Sequence, residues 1–366
     1  MTTIKTVFIV GAGFSANAGL PLQSEFTGLF LKAGAFKRGK SRNLMPFLGE
    51  FVQKTFGFGS SHDLSSYPEL EDIFTMLDLS ANTGHHLGRD HSPKDLRRLR
   101  RMLLSRTIRM LNSAYLDGKK GNLSERQRLI SFISRLSEKK HQFVSLNWDV
   151  VLEGCLEEVE APFAPFYSPE IRPVEIEDDN VVSISQNRRK LLVSKMHGSI
   201  NWLYCDCCRR SYSVPVARVS RLASQVLQSE EEEELYGAKG SVRLTCPFCG
   251  VDLGVRLATF SYQKALRAPM FESSWLQAEK ALRRAHKWVF IGYSLPAADF
   301  EFKYLLKRVE LARKTAPVIL VVTKTNTTDP DDPPAVRSYK RFFGEDRPRF
   351  FYKGLTKNAI DTILAD

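Results

Sequence analysis

The sequence predicts an α/β fold, a Rossmann-like, mostly parallel sheet covered by helices on both faces. Two observations carry this. Short, nearly continuous apolar runs rich in β-formers recur along the chain, as strands buried on both faces require. They alternate with helical stretches, the order expected of strand–helix–strand units. The 366 residues suffice for one large domain or two modest ones, and the 43% hydrophobic and 26% charged content is that of an ordinary globular chain.

Lys5 to Val10 reads as the first strand, and it runs into Gly11-Ala12-Gly13, where a helix begins. From about Ser41 to Lys140 the pattern is helical. Pro68, Glu69, Glu71 and Asp72 mark a helix start, and Leu96, Leu99, Leu103 and Met110 form an apolar stripe with Arg97, Arg98, Arg100, Arg101 and Arg109 off it. Phe143 to Leu146 and Leu191 to Lys195 read as two further strands, each leading into polar residues. Glu230 to Glu234 read as part of a solvated insertion. Trp288 to Ile291 and Pro317 to Thr323 read as the last buried strands, and Asn326 to Pro334 as a loop. A single domain over residues 1–366 is expected, with a helical insertion at 30–140 and a metal module at 203–256 that carries the acidic insertion.

Lys and Arg total 53 against 41 Asp and Glu, a formal charge of +12. Such a surface steers anionic small molecules and also allows nucleic acid as a partner. No apolar run is long enough to span a membrane, and Met1 to Lys5 do not begin a secretory leader, so a cytoplasmic location is expected.

Five segments have chemical capacity. Gly11-Ala12-Gly13-Phe14-Ser15 follows a strand, where glycines let backbone approach a pyrophosphate. Phe14 and the late Gly19 depart from the usual dinucleotide fingerprint. Asn147 and Asp149 sit at a strand end, where α/β sheets hold ligands, although Asp149 also suits a helix cap. His197, before Gly198, follows another strand end and has the residue type of a general base. Cys205 with Cys208, and Cys246 with Cys249, form two C-x₂-C knuckles separated by 37 residues, the spacing of a closed, structural four-thiolate zinc site. Cys207 is an alternative to Cys205 or Cys208. Finally, Gly292 to Asp299 follows a buried strand. Its small polar groups are placed to meet a nucleotide, or Ser294 or Asp299 caps the next helix.

In order and spacing these five segments resemble the sirtuin family, in which a Gly-Ala-Gly-x-Ser loop, an Asn-x-Asp, a His-Gly, a four-cysteine zinc module and a Gly-x-Ser strand end follow one another. Cys205 falls eight residues after His197, as that pattern has it. The match covers about half the chain. The resemblance implies NAD as substrate and structural zinc. It implies Gly11, Ala12, Gly13, Ser15, Gly292, Ser294 and Asn326 as NAD contacts, with Asn147, His197 and Asp149 as catalytic residues. Two departures weigh against peptide deacylation. Gly19-Leu20-Pro21-Leu22-Gln23-Ser24 lacks the Asp-Phe-Arg of deacylating members, and Leu257 to Lys264 lacks their Phe-Gly-Glu peptide-pairing segment. The stretch from Tyr262 to Asp299, with Lys264 and Trp275, is similar to that of divergent sirtuin-like proteins of bacterial anti-phage systems. Those are NAD-degrading effectors, activated by oligomerisation or by a HerA-type ATPase. The expected activity is therefore NAD hydrolysis at the nicotinamide–ribose bond by a homo-oligomer. The alternatives are a protein deacylase and an NAD-sensing or nucleic-acid-associated subunit.

Overall fold

Thr6 to Val10 form β1, buried along its whole length. Phe8 and Val10 belong to the apolar core on one side of the sheet, Val7 and Ile9 to the core on the other. Strand geometry sends successive side chains to opposite faces, so a strand covered on both must be apolar at every position. The computed structural model describes residues 4–31, 44–57, 67–121, 123–185, 188–236, 242–258, 269–325 and 332–365. Asn326, Tyr262 and Lys264 lie outside them.

After β1 come α1 (Ala12–Ala16), α2 (Phe26–Leu31), α3 (Leu44–Phe56), α4 (Leu70–Thr83), α5 (Pro93–Lys120) and α6 (Ser124–Ser134). The middle of the chain holds β2 (His141–Ser145), α7 (Val151–Glu158), β3 (Phe163–Phe166), β4 (Ile171–Glu177), β5 (Asn180–Ser183), β6 (Arg189–Lys195), β7 (Trp202–Tyr204) and β8 (Ser211–Ser213). It closes with α8 (Ser229–Tyr236), α9 (Pro269–Arg284), β9 (Lys287–Ile291), α10 (Phe300–Leu311), β10 (Val318–Val322), α11 (Pro334–Phe343), β11 (Pro348–Phe351) and α12 (Lys357–Leu364). Among the described residues no helix is long and apolar enough to cross a membrane.

The main sheet has seven parallel strands in the order β11-β10-β9-β1-β2-β6-β3. The chain builds outward from β1 in one direction through β2 and β6, then returns to β9 on the other side of β1. That reversal opens a crevice at the carboxyl ends of the central strands. Val10 is level with Ser145 and with Ile291, and Ser145 with Lys195. Four segments of chemical interest therefore leave the sheet along one edge.

Leu99, Leu103, Leu129, Phe132 and Leu152 cover one face, and Leu282, Phe302, Leu306 and Tyr339 the other. A smaller sheet, in the order β5-β4-β8-β7, stands beside the main one. The five strands expected from sequence are all present. β3, with Pro165, and β11, which starts at Pro348, went unread because proline interrupts a strand signal. Both lie at sheet edges, where a missing N–H is tolerated. The acidic run is not simply solvated. It forms α8, with Glu231 and Glu232 buried, and Glu231 takes a two-pronged hydrogen bond from Arg101 of α5. A buried carboxylate needs such a partner.

Ser92 and Asp95 cap the start of α5 reciprocally, with Pro93 in the first turn. Its far end carries Gly118, where an added Cβ would lie 1.8 Å from the Ala18 carbonyl oxygen. The helix thereby presses against the segment that follows α1. Replacing an interior helical glycine by alanine ordinarily stabilises by about 1 kcal/mol. Gly118→Ala should instead destabilise by about 1–3 kcal/mol through overpacking. Urea unfolding checks the sign, and a stabilised variant would refute this contact.

Candidate active site

The carboxyl edge of the sheet borders a cavity of about 510 Å³, within the range of small-molecule sites. Gly11, Ala12, Gly13, Ser15, Asn147, Asp149, His197, Gly292 and Ser294 all line it. Residues far apart in sequence thus meet because parallel strands in register deliver their following loops to one place. Gln23 and Ser24 line it as well.

The glycine loop is set by backbone contact. The Gly13 N–H donates to the Gly292 carbonyl at 2.8 Å, and a Cβ on Gly13 would lie 2.8 Å from the Gly292 Cα. A Cβ on Gly292, whose φ is +61°, would come 2.2 Å from the Phe14 nitrogen. The sequence suggests Gly13 as a point of close approach for a pyrophosphate. Its tight neighbour in the structure is the loop after β9.

Asn147 is locked to that loop. Its Nδ2 donates to the Gly11 carbonyl at 2.9 Å and to the Ser15 hydroxyl at 3.0 Å. The Gly11 carbonyl can only accept, so the amide nitrogen must face it. The carboxamide oxygen is left as the group for a ligand. Ser15 is buried beneath the loop.

His197 is held on several sides. Its Nδ1 lies 3.1 Å from the Leu146 carbonyl oxygen, which requires a proton on Nδ1 and leaves the Nε2 lone pair unprotonated in the neutral ring. Its own carbonyl accepts from the Ala258 N–H, and the preceding Met196 carbonyl accepts from the Trp275 indole. Nε2 lies 3.6 Å from Asp299 Oδ1. That carboxylate stabilises the imidazolium formed when the ring takes a proton.

For Asp299 the sequence leaves open a polar group at the site or a helix cap, and the structure turns it to the cavity. It stands just before α10, at the capping position, but makes no side-chain cap. Its Oδ2 accepts from the buried Tyr293 hydroxyl at 2.9 Å. Burial and the nearby Asp299 charge raise the Tyr293 phenol well above its ordinary value, so it remains a donor.

Asp149 keeps both of its expected roles open. Oδ1 accepts from the Val151 N–H at 2.9 Å, at the start of α7, while the residue lines the cavity. Its carbonyl accepts from Lys195 Nζ at 2.6 Å, and Lys195 pairs with Glu153 at 3.2 Å. Both charged residues are fully buried. Nothing at sequence level gives this pairing, although a lysine ending a buried strand requires an acid somewhere. Ser294 is exposed at the cavity rim.

Away from the cavity, the four cysteines Cys205, Cys208, Cys246 and Cys249 have sulfur atoms all within 4.8 Å of one another. The Cys205–Cys249 and Cys208–Cys246 separations are 3.4 and 3.7 Å. Ligands about 2.3 Å from a tetrahedral zinc stand about 3.8 Å apart, so the set fits that ion. Cys207 is exposed and lies outside the cluster. The two knuckles share one pattern. Cys205 N–H bonds to the Arg210 carbonyl and Arg209 N–H to Cys205, as Cys246 does with Val251 and Gly250 with Cys246. Burial alone would raise the Cys246 thiol. The Tyr212 hydroxyl and the Phe248 and Cys249 amides outweigh that and bring it to about 6, toward the thiolate a metal needs.

Four protein ligands leave no open position, so a zinc here acts on folding, not on substrate. Metal analysis of purified protein should give one zinc per chain. Cys246→Ser should lose it and melt at lower temperature, because binding energy in such modules is folding energy. Protein that is free of zinc and equally stable in both forms would refute the assignment.

No family model and no curated protein matches the chain. Among solved structures it is similar to a Sir2 homologue in complex with NAD, at 14% identity and TM-score 0.44 over 99% of this chain and 88% of that one. It is similar to a mutant Sir2 homologue in complex with ADP-ribose, at 15% identity and TM-score 0.42 over 99% and 90%. A third is Sir2 bound to acetylated peptide, at 12% identity and TM-score 0.38 over 99% and 91%.

Proposed function

We propose that this chain is an NAD glycohydrolase, which cleaves the nicotinamide–ribose bond to give nicotinamide and ADP-ribose. The observation that carries this reading is the pair of acceptors, the Asn147 carboxamide oxygen and His197 Nε2, on one cavity bordered by the glycine loop. Loss of nicotinamide builds positive charge on the ribose, as in glycoside cleavage. Nicotinamide leaves readily without strong acid assistance. The site must then hold the ribose, position water and tolerate an oxocarbenium-like centre.

Asn147 orients the ribose or the attacking water through its free carbonyl. His197 accepts the proton of that water or of a ribose hydroxyl, and Asp299 supports the resulting charge. Asp149 contacts the carboxamide. Gly11, Ala12, Gly13 and Ser15 border the pyrophosphate, with Gly292 and Ser294 across from them. The surplus of basic side chains favours arrival of an anionic dinucleotide.

Water is favoured over an acyl-lysine peptide as acceptor. Ala258, within the Leu257–Lys264 stretch, has its N–H bonded to the His197 carbonyl and its carbonyl to the Trp148 indole. From the resemblance of the Tyr262–Asp299 stretch to anti-phage effectors we also propose that the activity serves NAD depletion in the cytoplasm, with homo-oligomerisation or a HerA-type ATPase as trigger.

Nicotinamide release should occur without peptide, under activating conditions if the resting protein is silent. His197→Ala should cost about 10²-fold or more, the usual size of a general-base contribution, and Asn147→Ala a comparable factor through lost positioning. Both variants should keep the wild-type circular dichroism spectrum. Turnover that depends on acetylated peptide would favour deacylation. Equal turnover in wild type and both variants would place the chemistry elsewhere.

A further inference from the structure

A second cavity, of about 400 Å³, lies between α7, β3 and the smaller sheet. It is separate from the site above, and the inference drawn from it does not depend on NAD chemistry. Glu153, Tyr167 and Asn201 line its inner end, with Phe163, Val174 and Val214 among its apolar walls.

The inner end offers acceptors. Glu153 Oε1 takes a hydrogen bond from the Tyr167 hydroxyl at 3.2 Å and pairs with Lys195 at 3.2 Å. Glu153 Oε2 is buried and has no hydrogen-bond partner among the described residues. Asn201 directs its Nδ2 to the Val214 carbonyl at 2.9 Å and to Tyr167 at 3.3 Å, which leaves its Oδ1 in the same condition. Both residues are more than nine-tenths buried. The Tyr167 hydroxyl and the Asn201 amide N–H groups are already engaged. Tyr167 keeps its proton, because burial and the Glu153 charge raise the phenol far above its ordinary value.

Buried acceptors without donors are costly, and a carboxylate oxygen is best satisfied by a charged N–H. Lys195 meets Glu153 through the other oxygen and does not line the cavity. The volume far exceeds that of a single water, and the apolar walls suit a short hydrocarbon chain. Glu157 and Arg188 both line the cavity and are exposed, a charged pair of opposite sign.

We propose that this cavity is a binding site for an alkylammonium group, whose N–H donors reach Glu153 Oε2 and Asn201 Oδ1 while its carbon chain lies along Phe163, Val174 and Val214.

The test is calorimetric titration of the full chain with n-butylammonium chloride, with 1-butanol as the neutral probe of the same shape. Saturable binding of the ammonium is expected, at least tenfold tighter than the alcohol. Glu153→Gln and Asn201→Leu should each weaken it tenfold or more. Glu153→Gln strands Lys195 and is prone to misfold. Asn201→Leu leaves the Glu153–Lys195 pair in place and decides the matter if the first does not fold. Should neither variant fold, the preference for ammonium over alcohol in the wild type carries the decision. No saturable binding, equal binding of the two probes, or undiminished binding by a folded variant would overturn the proposal.

Discussion

The backbone contact between the loops after β1 and β9 is the constraint on which the candidate site depends. Gly13 donates to the Gly292 carbonyl at 2.8 Å, at a separation that admits no side chain on either residue. It fixes the Gly11 carbonyl and Ser15 against Asn147, and so decides which atom of the Asn147 amide faces the cavity. Parallel register does the rest. The loops after β1, β2, β6 and β9 emerge level with one another, and the reversal of strand order beside β1 leaves the gap that they line.

The His197 ring is held in one orientation from several sides. One nitrogen is committed to a carbonyl, and the backbone on both sides is tied to Trp275 and Ala258. The other nitrogen faces a carboxylate, itself held by Tyr293. Folding has thus already ordered these groups before any ligand arrives. The Lys195–Glu153 pair acts at a further remove. It holds the carbonyl of Asp149, which lines the main cavity, while Glu153 lines the second one.

The four-cysteine cluster has a different kind of dependence. Cys205, Tyr204, Cys246 and Leu253 belong to the same buried apolar cluster as Phe8 and Val10 of the central strand. Through Arg101 and Glu231 the insertion between the knuckles is also tied to α5. The module is thus built into the core by packing and by charge, and a metal there would brace the wall on which Ala258 meets His197.

The sequence by itself determined the central strands, the helical character of the stretch before β2, the clustered cysteines up to the choice between neighbours, and nine of the residues that line the cavity. Those features are local. A buried strand must be apolar throughout, and two C-x₂-C turns suit one metal. The tertiary structure alone decided that Asp299 faces His197 and does not cap its helix, that Gly13 meets Gly292, and that Glu231 and Glu153 are buried with basic partners. Each of these is a contact between segments distant in sequence or a choice between two equally local hydrogen bonds. Only the folded chain supplies the neighbour that makes one choice lower in energy than the other.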